Sequence, residues 1–111
     1  MKKSAHIKYN LYGEIKDYQM DVIYKDSRIT YFDNEVKTII DLKDGIIIRE
    51  NDEYRYVIDL SKYHINIHLN KENIDLEIRI NVLEKKYNSK YLYIKYLLVE
   101  ENVINEFEIK L

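Results

Sequence analysis

Three features of the sequence predict an all-β protein, an antiparallel up-and-down meander closed into a barrel. Apolar and polar residues alternate with period two in one segment after another. Short polar clusters with turn chemistry separate these segments. No long helical pattern, internal repeat or linker interrupts them, so residues 1–111 read as a single β-barrel domain.

The alternation places about ten short strands, near 6–12, 18–25, 28–33, 36–42, 46–50, 54–60, 63–69, 74–83, 91–99 and 103–110. The first three and the fifth follow from their apolar content and the turns around them. In the fourth, Val36, Thr38, Ile40 and Leu42 share a face, with Lys37 and Asp41 opposite. In the sixth, Tyr54, Tyr56, Ile58 and Leu60 oppose Arg55 and Asp59. The seventh alternates through Tyr63-His64-Ile65-Asn66-Ile67-His68-Leu69. The eighth is the clearest. Ile74, Leu76, Ile78, Ile80 and Val82 take one face and Asp75, Glu77, Arg79 and Asn81 the other, whereas a helix would scatter those charges around its cylinder. We expect Leu76, Ile78 and Ile80 to be buried at its centre. The ninth turns Leu92, Ile94, Tyr96 and Leu98 inward, and the tenth Val103, Asn105, Phe107 and Ile109.

The turns read from Lys25-Asp26-Ser27-Arg28, Asp33-Asn34-Glu35, Asn51-Asp52-Glu53, Asn70 to Asn73 and Lys86 to Lys90. Asp44-Gly45 is the strongest short hairpin signal. Links this short make consecutive strands antiparallel neighbours. A flat meander would leave two exposed edges, and closure removes them, so an imperfectly closed barrel is preferred to a two-sheet sandwich.

Composition bounds the function. A chain of 111 residues and 13.6 kDa folds to roughly 6,500 Å² of surface from roughly 20,000 Å², enough burial for one core without crosslinks. The lack of Cys excludes disulfides, thiolate metal sites and a Cys nucleophile. Charged residues make up 34% at a net charge of −2, an ordinary solvated surface rather than a polybasic one, which argues against nucleic acid as partner. Lys2-Lys3 has no apolar run behind it and no window suits a membrane span, so a cytoplasmic protein with no membrane partner is expected.

Val36-Lys37-Thr38-Ile39-Ile40, then Gly45 and Ile46-Ile47-Ile48-Arg49, resemble the YwiB-like family of small uncharacterised bacterial proteins. Lys62-Tyr63, Ile74-Asp75-Leu76-Glu77 and Leu92-Tyr93-Ile94-Lys95-Tyr96 extend the resemblance, which spans roughly residues 28 to 111. The chain departs from that family in its shorter N-terminal half and in Glu72-Asn73 where a Gly tends to precede the long strand. The resemblance implies a calycin-like, that is lipocalin-like, barrel and no reaction.

Several residues invite a functional reading. His64 and His68 share a strand face but stand about 13 Å apart, too far to bind one ion, so two solvent-facing histidines are expected. Lys85 to Tyr96 interleaves basic and aromatic residues, as single-strand binders do, yet outward Tyr91, Tyr93 and Lys95 suit cross-strand pairing on a wet face. Arg49 ends an apolar strand. Inside a barrel an Arg with a Tyr can hold a carboxylate, but its place beside the turn at 50–53 favours an outward side chain. Asn105 falls on an inward face and needs partners there, from backbone or Tyr hydroxyls rather than a ligand.

Tyr56, Tyr63, Tyr96 and Asn105 thus point where the aliphatic residues point, with Arg49 the speculative fifth member of a ligand-binding set. The hydroxyls satisfy one another in a sealed polar core, or they surround a cavity. The sealed core is expected, because the chain is short for a roomy calycin-like barrel. No acid/base pair, Ser-His-Asp set, phosphate loop or metal-ligand spacing is present, so no enzyme, cofactor or metal is expected. A non-enzymatic module for a small, mostly apolar ligand is the leading reading. The alternative is a protein-interaction or self-associating domain, a homo-oligomer built on an outer face rich in Tyr.

Overall fold

The computed structural model describes residues 1–62 and 64–111. Ten antiparallel strands run β1 (Lys2–Leu11), β2 (Glu14–Lys25), β3 (Arg28–Asp33), β4 (Val36–Asp41), β5 (Ile46–Glu50), β6 (Tyr54–Asp59), β7 (His64–Leu69), β8 (Ile74–Asn88), β9 (Tyr91–Leu98) and β10 (Val103–Lys110). Each pairs with its sequence neighbours, and β1 pairs with β10 from His6↔Lys110 to Asn10↔Glu106, closing the barrel. Ile, Val and Tyr on alternate positions supply a face that must leave water, and closure buries it while leaving no strand without a partner on either side. No helix among the described residues is long and apolar enough to cross a membrane.

β1 and β2 are longer than the sequence suggested. They meet in a two-residue turn, Tyr12-Gly13, with φ of +54° and +82°. Positive φ at both central residues lets a tight hairpin follow the right-handed strand twist. Asp26-Ser27 and Asn34-Glu35 make the same kind of turn, at φ between +49° and +70°. The Asp-Gly signal instead ends a four-residue loop. The Asp41 carboxylate accepts the Lys43 and Asp44 amides, and Gly45 takes φ +69°.

The strand directions give the barrel two ends. One, the base, holds the core: Ile7, Ile29, Ile40, Ile65, Leu92 and Ile109 lose essentially all contact with solvent there. The other, the mouth, carries the turns at 12–13, 34–35, 51–53, 70–73 and 99–102.

β8 departs furthest from expectation. Its pairing with β9 begins at Ile80↔Leu98, so residues 74–79 pair with β7 alone. Beyond the end of β9 nothing covers their inner face. Leu76 is therefore 45% exposed and Ile78 only half-buried, against 2% for Ile80. The expectation that all three are buried holds for Ile80 alone. Farther along, a bulge between Val82 and Glu84 reverses the alternation, so Lys85 and Tyr87 point inward, opposite Ile94 and Leu92. That reversal hid the rest of β8, which runs on to Asn88. Lys85 Nζ donates to the Leu60 carbonyl at 3.1 Å, and the Tyr87 ring covers Gly45 at the base.

Candidate functional site

The mouth half of the barrel is hollow. A cavity of about 530 Å³ lies above the aliphatic core, so the interior is not the sealed polar core that chain length suggested. Ten strands set a circumference that side chains reaching in from the mouth do not fill.

Apolar surface dominates the wall. Ile47 of β5, Ile58 of β6, Ile67 and Leu69 of β7, Leu11 of β1 and Phe107 of β10 line it. The Tyr9 and Phe107 rings stack at 6.4 Å with 12° between their planes. Among the described residues the polar groups that reach it belong to Tyr9, Tyr12, Glu14, Arg49, Tyr54, Tyr56, Tyr96 and Asn105.

Of the five residues singled out from the sequence, four meet here. Tyr56, Tyr96, Asn105 and Arg49 all line the cavity, whereas Tyr63 lies outside the described residues. Asn105 is fully buried and its partners are internal. Its Oδ1 accepts the Tyr12 amide at 3.0 Å and its Nδ2 donates to the Tyr96 hydroxyl at 3.4 Å. The carboxamide thereby ties the β1–β2 turn to β9 just beyond the last β1–β10 pair. Tyr12, at a left-handed φ uncommon for a large side chain, is held by that bond. Burial pushes the Tyr56 hydroxyl well above the ordinary tyrosine range, with the neighbouring Tyr96 adding to the rise, and raises that of Tyr96, so both remain neutral donors at physiological pH.

Arg49 corrects the sequence reading. It points inward, not out beside the turn. In the ladders it pairs with Thr38 on one side and Tyr56 on the other, both on the inner face. The run Ile46-Ile47-Ile48 does not alternate, so only pairing with β4 and β6 decides which way Arg49 faces. Its Nε is buried without a hydrogen-bond partner among the described residues, as is the hydroxyl of fully buried Thr38.

A second feature escaped the sequence. β2 and β3 share three residue pairs, Ile23↔Thr30 to Lys25↔Arg28, and then diverge toward the mouth. The Tyr18 hydroxyl bridges the divergence by donating to Asp33 Oδ2 at 2.8 Å. Burial and that bond hold the Tyr18 proton in place. Neither residue carries a spacing signal, because the gap depends on strand stagger rather than on a motif.

No protein-family model, curated protein or solved structure matches the chain.

The other candidates lie outside the cavity. His64 and His68 are half-buried on the outer face, where His68 Nδ1 stands 2.7 Å from Asp75 Oδ1 and His64 Nε2 is 3.9 Å from Glu77. Among the described residues no group of His, Asp or Glu is placed to hold a metal. The outward residues of β9 pair with acids of β10: the Tyr91 hydroxyl donates to Glu108 at 2.6 Å, and Lys95 lies 3.7 Å from Glu106. This is cross-strand pairing on a mixed-charge face.

Proposed function

We propose that this chain is a non-enzymatic binding protein whose mouth-side cavity holds a small, mostly apolar molecule. The observation that carries the reading is the cavity itself. At about 530 Å³ it falls in the usual range for small-molecule sites, with apolar walls and few, convergent polar groups. Asn105 and Tyr96 stiffen its rim without a ligand, which favours a largely pre-formed site. We further propose kinship with the YwiB-like, calycin-like barrels, on the strand patterning of residues 36–49 and 92–96.

Titration with a neutral environment-sensitive dye such as Nile red tests the proposal. One saturable equivalent should bind the folded protein. Ile67→Trp, which fills the cavity from β7, should abolish that binding while leaving the β circular dichroism intact. Absence of saturable binding, or binding that survives the filled cavity, would overturn the reading. Native mass spectrometry of the same samples reports whether a second copy occupies the mouth instead.

A further inference from the structure

We infer that the ligand is an amphipathic monocarboxylate, its apolar body in the mouth-side cavity and its carboxylate on Arg49. This rests on the cavity reading above and names the chemical class of its occupant.

The argument starts from an imbalance of charge. Arg49 carries a permanent positive charge on the inner wall. Among the described residues no carboxylate lies within 4 Å of it, and its Nε has no acceptor. Arg49 is half-buried with its Nε enclosed and unpartnered, and a partly desolvated cation without a partner carries a cost that a neutral side chain of similar size would avoid. The acids nearby are committed elsewhere. Asp33 accepts the Tyr18 hydroxyl, and Glu14 at the rim is largely solvated, 3.9 Å from Lys16. Tyr9, Tyr31, Tyr56 and Tyr96 all feel the Arg49 charge, but burial keeps their protons on; Tyr31 is pushed up to about 12. Their hydroxyls are neutral and supply no counter-charge.

The missing group is therefore an anion delivered by the ligand. Its charge follows from the wall: one guanidinium and no lysine line the cavity. That balances a monoanion, whereas a phosphate monoester would leave a second negative charge buried. A carboxylate also matches the guanidinium fork, which offers two parallel N–H donors. Thr38, directly across the ladder from Arg49, is fully buried beside Tyr31 and lies outside the cavity wall. The remainder of the ligand is mostly apolar, because Leu11, Ile47, Ile58, Ile67, Leu69 and Phe107 supply the aliphatic and aromatic part of the wall.

Calorimetric titration with decanoate, decanol and decyl phosphate separates the alternatives. The wild type should bind decanoate roughly ten- to a hundredfold more tightly than decanol, the ratio expected of one charge-assisted contact. Decyl phosphate should bind more weakly than decanoate. Arg49→Gln should remove the preference, so that decanoate binds no more tightly than decanol. Without ligand, Arg49→Leu should melt no lower than the wild type, because it removes a half-buried charge that has no carboxylate partner; that readout needs no ligand. Equal binding of decanoate and decanol would overturn the carboxylate assignment and leave the cavity reading intact. Tighter binding of decyl phosphate would replace the carboxylate by a phosphate. Binding of none of the three by the folded protein would overturn both readings.

Discussion

Replacing Asn105 by Leu tests the tie that holds the cavity rim. The side chains are similar in size, so no large void is created in this fully buried position. Two hydrogen bonds disappear. The bond to the Tyr12 amide is a good one at 3.0 Å, and its loss strands a partly buried N–H. The bond to the Tyr96 hydroxyl, at 3.4 Å, is near the limit and contributes little. A lost net bond costs about 1 kcal/mol and a partly stranded donor about another, while extra apolar burial offsets part of this. The expected loss is about 1–2 kcal/mol. At roughly 2.1 cal/mol/K per residue, each kcal/mol moves Tm of a 111-residue domain by about 4 °C. Calorimetric melting should therefore show Tm lower by about 4–9 °C. Tyr96→Phe should be milder, and the double variant close to additive. An Asn105→Leu protein as stable as the wild type would refute the tie, and with it the account of why Tyr12 keeps a left-handed conformation.

Other expected outcomes follow from the same geometry. Ile80→Ala should cost about 2–5 kcal/mol in denaturant melts and Leu76→Ala under about 1 kcal/mol, because β9 covers only the first of them. Gly45→Ala should destabilise by about 1–2 kcal/mol or more, since φ +69° disfavours any Cβ and the new atom would sit 2.9 Å from the Tyr87 ring. Asp41 has its carboxyl held below the usual range, chiefly by the Asp44 amide and then by that of Lys43. Its contribution is present above the unfolded carboxylate pKa and is lost as pH falls through the lower folded value, so Asp41→Asn should flatten the acid limb of the stability profile. The buried tyrosines act in the opposite range. Tyr31 stays neutral to about pH 12 when folded but ionises near 10 when unfolded, so stability should fall between those values as tyrosinate absorbance rises.

Much of the barrel was legible because each strand carries its own alternation. β4, β6, β7, β9 and β10 follow the period-two pattern closely, and the tight turns between them force antiparallel neighbours. The site was only partly legible. Tyr56, Tyr96 and Asn105 share faces with aliphatic residues, which was sufficient to aim them inward. Arg49 follows three isoleucines with no alternation, so the local pattern does not show that it faces inward. Leu76 alternates perfectly and is still exposed, because alternation reports which way a side chain points and not whether anything lies opposite.

By itself, then, the sequence determined the class of fold, the order of strands and the inward set of most of them, since these depend on local periodicity and on links too short for any other connection. The tertiary structure alone decided the stagger: where β9 stops against β8, where β2 parts from β3, and which face of β5 looks in. Stagger is set by closing ten strands into one ring, and no single strand carries that information. The hollow mouth and the unpaired guanidinium within it both follow from that closure.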